Sequence, residues 1–459
     1  MSPRVWLAVW VSRLVGFLSR LTGRGGSSLP GLIARRVDPN VLSRLSAMLP
    51  RGALLLTGTN GKTTTAAMLR HILEGSGRTV LANRSGSNLI LGLTATLVQA
   101  ERWRVRPRAA LALLETDEAT MPKAAQEIHP RAIVVTNFFR DQLDRYGELS
   151  TTVDFVARGI SQLSPEGVLI LNADDPQVAR LDPGNKPVLY YGLQGDLSPG
   201  TTGYDTSDAR YCPQCGTALS YERRFYAHLG HYHCPDCGWR RPTPEILVTR
   251  WSRREEKAWF IVHGREYVFS WRLPGIYNLY NQAAAVAAAV ALGVDASRIE
   301  AALERFRPAF GRMEWVQAGQ TQLWLALVKN PVGFNQVLMA VSEEESENAR
   351  GLIVINDRYA DGRDVSWLWD VDFEYWIPRL PVSHWYVSGI RARDMAVRLK
   401  YAGVPAENMT VQEAVPELLD RAIHETAGGT LYVLPTYTAM LEVRQQLTQQ
   451  GLVKHFREG

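Results

Sequence analysis

The sequence predicts an α/β architecture: a doubly wound, mostly parallel central sheet with a nucleotide site, a small inserted zinc ribbon, and a second, C-terminal α/β domain of Rossmann-like pattern. Three observations lead there. The stretch Leu54-Leu55-Leu56-Thr57-Gly58-Thr59-Asn60-Gly61-Lys62-Thr63-Thr64-Thr65 runs an apolar strand into a glycine-bearing turn and then a helix. Short apolar runs alternate with helical stretches from Leu54 to about Gly192, and again after Glu314, the rhythm of strand–helix–strand units. All four cysteines fall in two Cys-x-x-Cys pairs, within a segment that breaks this rhythm. At 459 residues, 46% hydrophobic and 21% charged, the chain has the composition of a globular protein of two or three domains.

Residues 1–50 read as a basic amphipathic segment. Within 1–36 lie Arg4, Arg13, Arg20, Arg24, Arg35 and Arg36 and no acid; the whole chain carries +5, so the remainder is near neutral at −1. Trp6, Trp10, Leu14, Phe17, Leu18 and Leu21 recur at helical spacing, with arginines elsewhere around the wheel. A basic helix with tryptophans suits an anionic membrane surface. A helix packed on the body of the protein is the equal alternative. No run of eighteen uninterrupted apolar residues occurs, so no bilayer-spanning helix is expected. The broken apolar run argues against a signal peptide. The few cysteines suit a reducing compartment, so the expected location is cytoplasmic, at the inner membrane face if the helix meets lipid.

Residues 51–314 are expected to form the ATP-binding central domain. Glycines let backbone N–H groups turn toward a phosphate, and the following helix adds a favourable N-terminal dipole. Gly58, Thr59, Asn60, Gly61, Lys62, Thr63 and Thr64 are therefore the candidate nucleotide-binding residues. Lys62 would reach the terminal phosphates, and the Thr63 hydroxyl would ligate Mg²⁺. Strict Walker spacing asks for glycine at position 56, where Leu56 stands. Further strands are expected at Thr79–Ala82, Ala110–Leu114, Ala132–Thr136, Val168–Leu171 and Val188–Tyr191, with helices at Thr63–Glu74, Met121–Ile128 and Thr152–Gln162. Glu115 ends one strand and offers an acidic Mg²⁺ ligand; Asn137 to Gly147 and Asn172 to Pro176 follow two others. All lie beyond carboxyl ends of strands, where open α/β sheets bind ligands.

Residues about 203–245 are the insert. Cys212-Pro-Gln-Cys215 and Cys234-Pro-Asp-Cys237 are each followed by glycine. Two such knuckles can set four thiolates around a tetrahedral Zn²⁺. A closed four-thiolate shell leaves no open position, so a folding role is expected, not a catalytic one. Disulfides or redox pairs are the alternatives, and His228, His231 and His233 lie close by. Strands resume near Ile246–Thr249, Ala258–Val262 and Tyr267–Trp271, followed by an alanine-rich helix from Tyr280 to Leu292. Residues 315–459 form the second domain, with strands near Leu323–Leu327, Gly351–Ile355, His384–Ser388 and Leu431–Leu434.

With these motifs in place the chain resembles the Mur ligase family, ATP-dependent enzymes that join an amine to a carboxylate in peptidoglycan precursors. Thr57–Thr64 matches the family's TGTNGKT loop. Leu273-Pro-Gly-Ile-Tyr-Asn278-Leu-Tyr-Asn281 matches its LPGxxNxxN segment, which implies that Asn278 and Asn281 help hold the nucleotide. Gly311-Arg312-Met313-Glu314 matches GRxE and implies that Arg312 meets ATP phosphate. The family commonly has Asp-His where this chain has Asp141-Gln142. A carbamylated lysine of several relatives has no assignable counterpart. The phosphate loop begins at residue 57, which leaves no room for the domain that grips uridine nucleotide in typical members; a lipid-linked precursor would not need it.

Lys329 to Asn335 and Asn356 to Trp367 resemble the MurT family, the Mur-ligase-like subunits of lipid II isoglutaminyl synthase. The resemblance implies ATP-dependent amidation of the D-glutamate α-carboxyl of lipid II, with ammonia from a glutaminase (GatD-like) subunit in a heterodimer, and no nucleic-acid partner. It also implies that an aspartate completes the glutaminase site. Asp361 and Asp364 are the candidates, with Asp357 less favoured and a slight preference for Asp361. The implied catalytic set is Lys62, Glu115, Arg312, Asp361 and Asp364; the implied cofactors are ATP, Mg²⁺ on Thr63 and Glu115, and structural Zn²⁺ on Cys212, Cys215, Cys234 and Cys237. No cysteine lies outside the insert, so the chain carries no thiol nucleophile of its own for glutamine hydrolysis. Trp367, Trp369, Phe373, Tyr375 and Trp376 crowd a stretch beside these aspartates and suit either an interface or the domain core. Two rivals stand: a folylpolyglutamate-synthase-like ligase, and a non-catalytic ATP-dependent scaffold for a glutaminase.

Overall fold

Leu54, Leu55 and Leu56 are fully buried because the strand they lie on is central, covered on both faces. In the computed structural model this is β1 (Ala53–Thr57). The structure describes residues 3–21, 28–83, 86–100, 109–140, 149–195, 208–307, 312–344 and 346–453, with 18–21 and 312–313 as backbone only. The first sheet adds β2 (Val80–Ala82), β3 (Leu111–Glu115), β4 (Ala132–Val135), β5 (Val168–Asn172) and β6 (Val188–Leu193). The insert then contributes β7 (Ser220–Tyr226) and β8 (Leu229–His233), after which β9 (Ile246–Ser252), β10 (Lys257–Val262) and β11 (Arg265–Ser270) complete the sheet. Its nine strands run in the order β11-β10-β9-β6-β5-β4-β1-β3-β2. Pairing is parallel from β2 through β9 and antiparallel only at β9-β10-β11.

Strand order places β1 between β3 and β4, so the loop after β1 opens where the chain switches direction along the sheet. The helix Lys62–Gly75 leaves that loop and packs against the alanine-rich helix Ile276–Ala291. That second helix is buried from Asn278 to Ala289, which its small side chains permit by letting neighbouring backbones approach closely. The cysteine-bearing insert is the crossover between β6 and β9, which are parallel neighbours.

The second sheet has β12 (Arg312–Ala318), β13 (Thr321–Ala326), β14 (Ala349–Val354), β15 (Val382–Ser388), β16 (Met409–Val411) and β17 (Thr430–Pro435). Its order is β12-β13-β17-β14-β15-β16, parallel except for the β12-β13 hairpin. The sequence pattern did not reveal β7, β8, β12 or β16. The first two are polar ribbon strands, the third begins on the family motif at Arg312, and the last is a short edge.

The N-terminal helix, Pro3–Leu21, buries Val5, Ala8, Val9 and Ser12. It lies against the helices Leu29–Val37 and Ile90–Ala100. Packing on the body therefore holds for one face of this helix, while Trp6, Leu14 and Phe17 on the other are more than half exposed or nearly so, at 50%, 59% and 55%. The aromatic stretch after Asp364 also divides. Phe373 and Trp376 are core, whereas Trp369 is exposed and meets Tyr401 edge-on. Among the described residues no helix is long and apolar enough to cross a membrane.

Candidate active site

The phosphate loop is shaped by two glycines that no other residue could replace without displacement. Gly58 has φ +119° and Gly61 φ +85°. A Cβ on Gly58 would lie 2.3 Å from the Thr136 hydroxyl, and one on Gly61 1.9 Å from the Asn281 carboxamide oxygen. The loop is therefore pinned on both sides. Just past β4, Thr136 Oγ1 donates to the Asn60 carbonyl at 2.8 Å, and Asn137 both accepts from Asn60 N–H at 2.9 Å and donates to the Asn60 carbonyl at 3.1 Å. Thr59 Oγ1 accepts from Phe139 N–H at 3.0 Å and donates to the Phe139 carbonyl at 3.2 Å.

Thr63 and Glu115, distant in sequence, meet: the Thr63 hydroxyl donates to Glu115 Oε2 at 2.8 Å. Glu115 is held from behind by Asn83, which accepts its N–H and donates to its carbonyl, both at 2.8 Å. One hydroxyl and one carboxylate, both hard oxygen donors beside a phosphate loop, fit Mg²⁺. Lys62 Nζ sits 2.9 Å from Glu118 Oε1 and donates to the Gly58 carbonyl at 2.5 Å. Burial works to lower the lysine pKa, but attraction to Glu118 and Glu115 outweighs it and raises the value above 10.5. For Glu118, burial works upward, and the nearby ammonium and its hydrogen bond bring the carboxyl below its ordinary 4.5. Lys62 is thus a largely buried ammonium held at the loop.

Glu118, Asn83 and Asn137 were not among the sequence candidates. Asn137 stood in the segment singled out after β4, and Glu118 lies three residues past Glu115, but nothing local distinguished them from helix caps. Asn278 and Asn281 are buried behind the loop. Asn281 accepts from Thr65 Oγ1 at 3.4 Å and donates to Asn278 Oδ1 at 3.2 Å, and Asn278 donates to the Pro274 carbonyl at 2.6 Å. Asn281 thus reaches the loop helix, and the two asparagines hold each other. Arg312 begins β12, but its side chain lies outside the described residues, as do Asp141 and Gln142.

Asp174 and Asp175, read as beyond the β5 end, are fully buried and already engaged. Asp174 accepts from Arg241 Nε at 2.5 Å, Tyr280 Oη at 2.6 Å and Leu193 N–H at 2.8 Å. Asp175 accepts from Phe138 N–H at 2.8 Å and caps the turn Pro176–Ala179. These carboxylates fasten the ribbon segment to the sheet. His228, at the tip between β7 and β8, packs between Asp175 (3.4 Å) and the Phe139 ring (4.8 Å). His231 contacts the Leu193 carbonyl at 2.7 Å. Neither histidine is at the thiol cluster.

The four cysteine sulfurs lie within 4.8 Å of one another, with Cys212–Cys237 at 3.6 Å and Cys215–Cys234 at 3.4 Å. These separations are far beyond a disulfide bond of about 2.05 Å. The two knuckles are built alike: Gly216 N–H donates to the Cys212 carbonyl and Gly238 N–H to the Cys234 carbonyl. Four converging thiols with no other carboxylate or imidazole in the group form a donor set that can hold a metal ion.

In the second domain the aspartates differ sharply. Asp361 is buried and accepts from Thr438 N–H at 2.7 Å, Thr438 Oγ1 at 2.5 Å and Arg358 N–H at 3.2 Å. Burial dominates and raises its pKa above 3.8. Asp364 is exposed, and hydrogen bonds from the Ser366 hydroxyl and from Ser366 N–H, the latter at 2.8 Å, lower its pKa. Asp357 pairs with Arg391 at 3.0 Å. The two domains touch at the phosphate loop: Asn330 Nδ2 donates to Asn60 Oδ1 at 3.0 Å and Lys329 Nζ to the Thr59 carbonyl at 3.2 Å.

Residues 56–213 match the Mur ligase middle domain, and residues 327–440 match the MurT ligase C-terminal domain. The chain is 34% identical, over 99% of its length and 99% of the relative's, to the lipid II isoglutaminyl synthase (glutamine-hydrolyzing) subunit MurT of Streptococcus pneumoniae strain R6. It is 32% identical to the subunit of the same name from Staphylococcus aureus strain N315, over 97% of this chain and 98% of that one. In fold it is similar to a pseudomurein peptide ligase type C from Methanothermus fervidus, with a TM-score of 0.67 at 23% identity, covering 87% of this chain and 78% of that one. A nucleotide loop set on a Mur-type sheet and full-length likeness on both domains lead to one conclusion: the chain belongs to the MurT family of Mur-ligase-type, ATP-dependent ligases.

Proposed function

We propose that this chain amidates the α-carboxyl of D-glutamate in the lipid II stem peptide, using ATP and ammonia released by a glutaminase subunit. The observation that carries the reading is the Thr63–Glu115 pair beside buried Lys62, in a chain whose full length follows MurT. Residues 51–314 act as the ATP domain and 315–459 as the glutaminase-binding domain. Thr63 and Glu115 would hold Mg²⁺, which when bound neutralises phosphate charge as phosphoryl transfer proceeds. The loop N–H groups and the start of the helix Lys62–Gly75 bind the nucleotide, with Asn278 and Asn281 supporting the loop and Arg312 acting at the domain junction. Lys62 balances charge as the glutamate carboxylate oxygen attacks the γ-phosphorus and ADP leaves. Ammonia then attacks the acyl carbon, loses a proton, and expels phosphate to leave the amide. Closure of the second domain, which already contacts Asn60 and Thr59, excludes water from the acyl phosphate.

The exposed carboxylate of Asp364, rather than the thrice-bonded Asp361, is the one suited to enter a partner's glutaminase site. The four thiols hold one structural Zn²⁺. With ammonium supplied, Lys62→Ala and Glu115→Gln are each expected to lower lipid II amidation on the order of 10²–10³-fold; unchanged amidation would sink the ligase reading. In the complex, Asp364→Asn is expected to abolish glutamine-dependent amidation and keep ammonia-dependent amidation. If Asp361→Asn does this and Asp364→Asn does not, the assignment reverses.

A further inference from the structure

The N-terminal helix has two apolar faces, and among the described residues only one is packed on the body. At about 100° per residue, Val5, Ala8, Val9, Ser12 and Gly16 share the arc that packs on the body, and all are buried. Trp6, Trp10, Leu14 and Phe17 form a second stripe on the opposite side. Trp6, Leu14 and Phe17 are 50%, 59% and 55% exposed, and Leu7 beside them 49%. Trp6 and Trp10 pack ring on ring at 5.6 Å, so the stripe is continuous over about three turns. An ordinary surface helix places charge there. Here the outward face is tryptophan, leucine and phenylalanine.

We infer that this face docks the enzyme in the plane of an anionic lipid bilayer. Charge selects that occupant. The first 36 residues carry six arginines and no acid, whereas the remainder of the chain is near neutral; Arg35 is paired with Glu127, while Arg4 and Arg13 stand on the helix itself. A half-exposed apolar stripe with aromatic residues, set in a wholly cationic segment, is the profile of an interfacial helix, and each basic residue near an anionic leaflet adds attraction. The helix does not span the bilayer; it lies on it, anchored to the protein by its buried face. Its neighbour, the helix Ile90–Ala100, begins three residues after Ser87, whose carbonyl accepts from the same Asn83 that holds the Glu115 backbone, so the docking platform sits one helix from the site. Its use rests on the lipid-linked acceptor proposed above, since such a substrate stays at the membrane face.

The test is flotation of the full-length protein with vesicles of phosphatidylcholine alone or with roughly one third phosphatidylglycerol. Binding is expected to the anionic vesicles, to weaken at about 0.5 M NaCl, and to fall on the order of 100-fold in Trp6→Ser/Leu14→Ser/Phe17→Ser. The same variant should keep wild-type amidation of a water-soluble, short-chain lipid II analogue, which shows that it folds, and lose activity on long-chain lipid II in vesicles. No vesicle binding by the wild type, or equal binding by the variant, would overturn the inference. So would self-association of the wild type that the variant abolishes, which would assign the face to a second copy. Loss of activity on the soluble analogue by the wild type itself would count against the ligase reading and leave the vesicle result to stand on its own.

Discussion

Glu118 shows how much a single side chain can decide. Lys62 is largely buried and its ammonium has one carboxylate in direct contact, that of Glu118 at 2.9 Å. Glu118→Gln leaves a buried charge without its partner, so a loss on the order of 3 kcal/mol is expected. Phosphate oxygens can take over the ion pair, so ADP should raise the melting temperature more in the variant than in the wild type; equal shifts would show that Lys62 does not face the nucleotide. A second carboxylate sets a pH response. Hydrogen bonds from Tyr386 and Arg421 pull Glu425 from its ordinary 4.5 down to about 2. A carboxyl lowered on folding contributes stability that is fully present above about 4.5 and lost as pH falls toward 2. Denaturant titrations at neutral and acid pH should show wild type losing more stability on acidification than Glu425→Gln. Glu425 is one-third exposed, so solvent screening keeps the effect small; identical acid slopes would refute it.

At the scale of elements, the ribbon is fastened at two ends. The thiol cluster closes its knuckles, and Arg241, Tyr280 and Asp174 tie it to β5, β6 and the helix Ile276–Ala291. Between them the β7–β8 tip puts His228 and Tyr226 against Phe139, whose backbone holds Thr59 of the phosphate loop. Removing the metal should therefore be felt at the nucleotide. Cys212→Ser is expected to eliminate stoichiometric Zn²⁺ by elemental analysis and to lower the melting temperature, with weaker ADP binding as the coupled readout. Wild-type protein without bound zinc would remove this role. Arg241→Met is expected to destabilise by on the order of 3 kcal/mol, because it removes the ion-pair partner of Asp174, which is completely buried.

For the whole molecule, the contact between sheets matters most. Asn330 caps the helix Pro331–Ser342 through Gly333 N–H and also reaches Asn60 in the loop. Asn330→Ala should cost about 1 kcal/mol as a lost cap. Its lost bridge should lower kcat more than it raises the KM for ATP, if domain closure shields the acyl phosphate. Equal change in both would mean the bridge serves nucleotide binding alone.

The strand pattern, the phosphate loop and the four-thiol insert were legible in the chain because each is local: apolar periodicity, glycine spacing and cysteine spacing act over a few residues. Thirteen of the strands follow that pattern, including the core runs at Leu54 and Ile133. The partners of those motifs were not legible. Glu118 and Asn83 touch Lys62 and Glu115 only because parallel β1, β2 and β3 bring their ends together. The sequence could not separate Asp361 from Asp364, three residues apart, because only the fold brings Thr438 across to occupy one of them. It likewise announced an amphipathic N-terminal helix but left its two roles equal. Packing buries one face on the body and leaves Trp6, Leu14 and Phe17 on the outside. Local propensity is written in neighbouring residues, whereas burial and ion pairing depend on which distant segments the sheet order makes adjacent.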